Sequence, residues 1–115
     1  MATSTQIRET AAENLGILGE GEVLPSYEVG DLNQAITEVY NELRQMNLTT
    51  WASTDAVPDE YARSFAMLVA ESRAVKYQIP DNRYQRIKLE ASSAIMRIRA
   101  LQAKDKLGQT EIESM

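Results

Sequence analysis

Apolar side chains recur every three or four positions along most of this chain, the interval of an α-helix with one face turned inward. The pattern breaks three times, so four helical segments are predicted. The first runs from about Thr3 to Leu15, with Ile7, Ala11, Leu15 and then Leu18 on one side. Thr3 and Gln6 have the spacing of a capping box, and Gly16 and Gly19 supply helix-stop chemistry. A loop over residues 20–25, closed by Pro25, leads to a second segment from about Ser26 to Asn47. Gly30 is a poor interior residue, so the regular part is placed nearer Asp31, itself a good N-cap. From there Leu32, Ala35, Ile36, Val39, Tyr40, Leu43 and Met46 line one face, opposite Glu38, Asn41, Glu42 and Gln45.

Residues 48–57 form the longest break. Pro58 opens the third helix, and Asp59 and Glu60 suit its positive end. Tyr61, Phe65, Leu68, Val69 and Val75 define a core face, but Ala62, Ala66, Met67, Ala70 and Ala74 surround it. A helix apolar on most sides belongs at the centre of a fold. Residues 77–80 (Tyr-Gln-Ile-Pro) end it, and the fourth helix starts at Pro80-Asp81. There Tyr84, Ile87, Ala91, Ala94, Ile98 and Leu101 step by 3, 4, 3, 4 and 3, a 3.5-residue repeat. Gly108 is expected to stop this helix. Two long helices with almost no linker imply an antiparallel hairpin, and no segment alternates as a strand does. The expectation is an all-α bundle of four helices with a long C-terminal helix and a short flexible C-terminal tail. The helical domain would cover residues 1–107 and the tail residues 108–115.

Composition narrows the chemistry. The chain has 115 residues, the size of one domain, and neither cysteine nor histidine. That removes disulfides, thiolate nucleophiles, the usual general base and the commonest metal ligand together. Most hydrolytic, redox and zinc chemistries are therefore hard to build, and no cofactor is expected. No run of about 18 apolar residues marks a membrane span. The opening Met1-Ala2-Thr3-Ser4-Thr5 has neither the basic start nor the apolar stretch of a signal peptide.

Charge adds a polarity. Residues 1–60 hold eleven acidic and two basic side chains, whereas residues 61–115 hold six acidic and ten basic. In a ring of identical subunits, such asymmetry would let one copy's acidic face meet its neighbour's basic face.

Carboxylates are the only abundant reactive groups. Glu20 and Glu22 sit in a Gly-Glu-Gly-Glu run, but without the alternate oxygen ligands and closing glutamate of a calcium loop, so they read as a solvated turn. The acids fall on polar helix faces, which argues against the raised pKa that a glycosidase acid needs. Phosphate-loop, dinucleotide and nucleophile-elbow motifs are absent. The fourth helix carries seven of the twelve basic residues. Arg83, Arg86, Lys88, Arg97 and Arg99 are spread around it rather than along one stripe, so a solvated or subunit-facing helix is preferred to nucleic-acid binding. Trp51, the sole tryptophan, reads as a loop anchor ahead of an interface hot spot. In the tail, Ile112 and Met115 are apolar groups that a partner's groove would accept.

The order of these features resembles the head-to-tail adaptor family of tailed bacteriophages, most closely the tail accessory (packaged-DNA stabilisation) proteins of short-tailed phages. The likeness lies in Ala11-Ala12-Glu13-Asn14-Leu15-Gly16-Ile17-Leu18-Gly19, similar to the family's Ala-x-x-x-Leu-Gly turn. It continues in Leu32-x-x-Ala35-Ile36-x-x-Val39-x-x-Glu42-Leu43 and in the loop holding Trp51. Pro58-Asp59-Glu60-Tyr61, Ala66-Met67-Leu68-Val69-Ala70 and Tyr77-Gln78-Ile79-Pro80 complete it, so that about residues 6–105 are covered.

The resemblance implies a structural virion protein, not an enzyme, at the head-tail interface and assembled in the host cytoplasm. It would form a homo-oligomeric ring of about twelve copies beneath the portal protein. The ring would extend the channel for double-stranded DNA, without sequence recognition, towards tail or nozzle proteins. It further implies portal docking through the tail residues Gln109, Thr110, Glu111, Ile112, Glu113, Ser114 and Met115. The larger short-tailed members carry a longer C-terminal extension than this chain does. The alternative expectation is a small helical protein-interaction module or regulator that dimerises through the heptads of its C-terminal helix.

Overall fold

The computed structural model describes residues 1–19, 21–49 and 51–114, with side chains as far as Asp105. It is an all-α bundle: α1 (Ser4–Leu15), α2 (Ser26–Gln45), α3 (Asp59–Arg73) and α4 (Asp81–Ser114). α3 is the hub and packs against each of the other three helices. Phe65, Ala66, Val69 and Ala70 have no exposed surface at all, which answers the apolar residues around most of this helix. α2 and α4 flank the α1–α3 centre, and among the described residues their backbones do not approach each other.

Local sequence fixes the helix ends. At α1 the Thr3 hydroxyl accepts from the Gln6 backbone N–H at 3.2 Å, while the Thr3 N–H donates to Gln6 Oε1 at 2.9 Å. This is the expected capping box. Gly16, at φ 77°, closes the same helix. The Gly16 N–H donates to the Glu13 carbonyl and the Ile17 N–H to that of Ala12, the paired bonds of a Schellman turn. The same pair recurs around Asn47 (φ 59°) after α2 and around Gln78 (φ 52°) after α3. Each turn is followed by an apolar residue, Ile17, Leu48 or Ile79, packed on the core.

The structure departs from the sequence reading in three places. α2 begins at Ser26 and runs through Gly30, so Asp31 is a buried residue inside the helix rather than its N-cap. Val75 is 74% exposed, because α3 ends at Arg73 and Val75 falls in the turn that Gln78 closes. The backbone of α4 remains helical past Gly108, its expected stop, to Ser114.

α4 is 34 residues long, and the molecule measures 51 × 26 × 25 Å. At about 1.5 Å of rise per residue, α4 alone matches the long dimension. Its 3.5-residue repeat is used within the chain: Ile87, Ala91, Ala94 and Ile98 are buried against α3, with Tyr84 and Leu101 partly covered. The Tyr61 hydroxyl adds a polar tie, donating to Asp105 Oδ2 at 2.8 Å.

The N-terminal segment is held by the loop before α3. Ala2 and Val57 exchange both backbone hydrogen bonds, at 2.7 and 3.0 Å. Asp55 accepts from the backbone N–H and the hydroxyl of Ser4 at 2.9 and 3.0 Å. Those bonds, led by the backbone one, hold the Asp55 carboxyl below its ordinary range.

Candidate interaction surfaces

Among the described residues no group of three acidic side chains is placed to hold a metal ion. Glu22 behaves as a turn residue, its carboxylate accepting the Gly19 N–H at 3.2 Å. Glu20 lies outside the described residues. No described helix is long and apolar enough to cross a membrane.

Trp51 anchors its loop. It is 7% exposed, its ring centroid 5.0 Å from Tyr61, 6.0 Å from Phe65 and 6.3 Å from Tyr40. The Tyr40 hydroxyl also donates to the Trp51 carbonyl at 2.9 Å. Aromatic pairs at such separations add to the burial itself, so the indole is committed inward and not offered to a partner.

One charged cluster was not foreseen. Asp31, on the core side of α2, receives Lys76 Nζ at 2.6 Å and the Tyr77 hydroxyl at 2.8 Å. Arg73 Nε lies 3.4 Å away, and the same guanidinium donates to Glu38 Oε2 at 3.1 Å. Burial pushes the Asp31 carboxyl up, but the hydrogen bonds from Lys76 and Tyr77 and the charge of Arg73 outweigh it, and the net shift is down. Tyr77 moves up, from burial and from donating to Asp31. Lys76 also moves up, chiefly through its bond to Asp31, and its ammonium stands 5.5 Å over the Tyr27 ring. This cluster locks the first turns of α2 to the end of α3. A charge whose partners are this complete is structural.

A second region is charged differently. A groove of about 680 Å³ runs between α1, α3 and α4. Arg63 of α3 and Arg83, Arg86 and Arg97 of α4 line it, with Met67, Ile87 and Ala94 among the apolar side chains beneath. Residues 83, 86, 90, 93 and 97 step by 3, 4, 3 and 4, so these α4 positions share one face. The arginines of α4, expected from the sequence to be spread around the helix, are so only in part. Lys88 and Arg99 do lie outside the groove, but three others converge and α3 contributes a fourth. Gly16 helps place one of them, since a Cβ there would overlap the Arg83 guanidinium.

The third surface is the outer side of α4. Leu89 and Met96, one heptad apart, are 71% and 70% exposed, with exposed Ala100 and Ala103 continuing their stripe. The side chains of the expected docking tail, Gln109 to Met115, lie outside the described residues.

Comparison with protein-family models, curated proteins and solved structures finds no match to this chain. The likeness to head-to-tail adaptors therefore rests on the motifs quoted above.

Proposed function

We propose that this protein is a non-catalytic helical interaction module whose working surface is the solvent side of α4. One observation carries this reading. The longest helix uses one seam in the bundle and still presents Leu89 and Met96 to solvent, 71% and 70% exposed, beside the arginine-lined groove. Isolated exposed apolar residues are ordinary, but a pair aligned on one helix face and bordered by cations is the make-up of a docking helix. Because the heptad seam is already filled by α3, self-association through α4 would use this outer face. Leu89→Asp with Met96→Asp should abolish partner capture or self-association and leave thermal stability within about 0.5 kcal/mol. Unchanged association in that variant would remove α4 from the interface.

The assembly we favour is the phage head-to-tail junction, because the motif order of the chain resembles adaptors of that junction. The separation of α2, whose outer face carries exposed Glu42 beside the Arg73-paired Glu38, from the basic α4 supports it. Complementary patches on opposite sides of a subunit make head-to-tail contacts, which close into rings when the rotation allows. Mixing the full chain with purified portal rings of a short-tailed phage tests this, with co-sedimentation expected. Intact portals that bind none of it would overturn the adaptor reading and leave the interaction module standing.

A further inference from the structure

The geometry points to the α1–α3–α4 groove as a binding site for an acidic peptide segment that carries one apolar anchor residue. Among the described residues, none of Arg63, Arg83, Arg86 and Arg97 has a carboxylate within ion-pair distance or a hydrogen bond from its guanidinium. Four like charges around one groove repel each other, and Glu13 and Glu90 in its lining form no ion pair with them. Arg73, only ten residues from Arg63, shows the contrast, since it is paired with both Asp31 and Glu38. Guanidinium is the group suited to bidentate binding of carboxylate, and its weak hydration makes it easy to bring into an interface.

The remaining lining selects among anions. Met67 is the half-buried apolar side chain that the groove leaves open, with Ile87 and Ala94 buried beneath it; a phosphate chain has no use for it, and a leucine-sized side chain would cover it. Ser64, Ser93 and Asn14 offer hydroxyl and amide groups at the wall, suited to a peptide backbone. Glu13 and Glu90 also line the groove, and two fixed carboxylates oppose a continuous run of phosphates more than spaced glutamates. Finally, the chain carries a net charge of −5, which disfavours long-range attraction of nucleic acid. A volume near 680 Å³ is enough for a few residues of peptide.

This inference rests on the reading of the protein as an interaction module and names the chemistry of one partner. Portal capture and peptide capture are separate assays, so either fails independently.

The test uses the full chain on an array of short synthetic peptides graded from basic to acidic, each made with and without a central leucine. Retention should rise with acidic content and rise again with leucine. Arg63→Glu with Arg97→Glu should weaken the best peptide by more than about tenfold, since each charge-assisted contact contributes at least that order. Lys88→Glu with Arg99→Glu makes the same charge change on α4 outside the groove and should shift affinity by less than about threefold. The milder Arg63→Ala with Arg97→Ala pair, checked by circular dichroism, gives the same reading should the charge-reversed protein not fold. Preference for neutral or basic peptides, or equal loss in the two charge-reversed pairs, would overturn the assignment. So would a duplex oligonucleotide that displaces the peptide at equal concentration. A dimer in sedimentation that only the groove variant dissolves would likewise overturn it, by showing a second copy in the site.

Discussion

The two charged regions of this molecule use the same residue types in opposite ways. Around Asp31 a single carboxylate gathers an ammonium, a guanidinium and a phenol within 3.4 Å. In the α1–α3–α4 groove, four guanidiniums have no carboxylate within ion-pair distance among the described residues, although Glu13 and Glu90 line the same groove. The first arrangement answers a need of the fold, because a buried acid without partners would be costly. The second answers no such need, since its arginines are exposed and solvated. Charge satisfied inside the bundle is stabilising, and charge left unsatisfied at its surface is available for binding.

That contrast breaks first at Asp31. Asp31→Ala should lower stability by about 2–3 kcal/mol, as measured by urea denaturation, because it removes bonds to charged groups and leaves Arg73 half-satisfied. A loss under about 0.5 kcal/mol would put the cluster in the same class as a surface pair.

The next effect is pH-dependent. A folded-state pKa held below the unfolded value contributes stability that is present above the ordinary carboxylate range and lost as pH falls through it. Thermal melts between about pH 6 and about pH 3 should therefore show the wild type losing more stability than Asp31→Ala. Asp55 adds to the acid loss in both proteins and cancels from the difference. Parallel curves would mean that Asp31 ionises no more easily in the folded chain.

The smallest effect belongs to the groove. Removing Arg63 and Arg97 together as alanines should change stability by no more than about 0.5 kcal/mol, with slight stabilisation the favoured sign as like-charge repulsion falls. A loss above about 2 kcal/mol would show that these arginines serve the fold, and the distinction between the regions would disappear.

Most of the fold was legible because its signals are local. The Thr3–Gln6 capping box, the Gly16 turn, Pro58 and the stepping of Ile87, Ala91, Ala94 and Ile98 each state their role within a few residues. Asp31 was misplaced for the converse reason. Aspartate beside Gly30 suits a helix start, and the partners that override this lie 45 and 46 residues away. Val75 continued an apolar pattern, but the turn closed at Gln78 puts it in solvent. For the groove, the repeat through Arg83, Arg86 and Arg97 was readable as a second heptad stripe. The addition of Arg63 was not, because it depends on how α3 lies beside α4.

The tie between Ser4 and Asp55 also sets an order of events during synthesis. The first turn of α1 receives its carboxylate from a residue 51 positions later in the chain. Until that loop has left the ribosome, α1 has only its own capping box, and twelve residues in isolation make a marginal helix. At a few residues per second the delay lasts several seconds, during which Ile7, Ala11 and Leu15 lack the α3 surface that covers them. The nascent α1 is thus a segment that a chaperone would find open, and its exposure ends only when the centre of the bundle arrives.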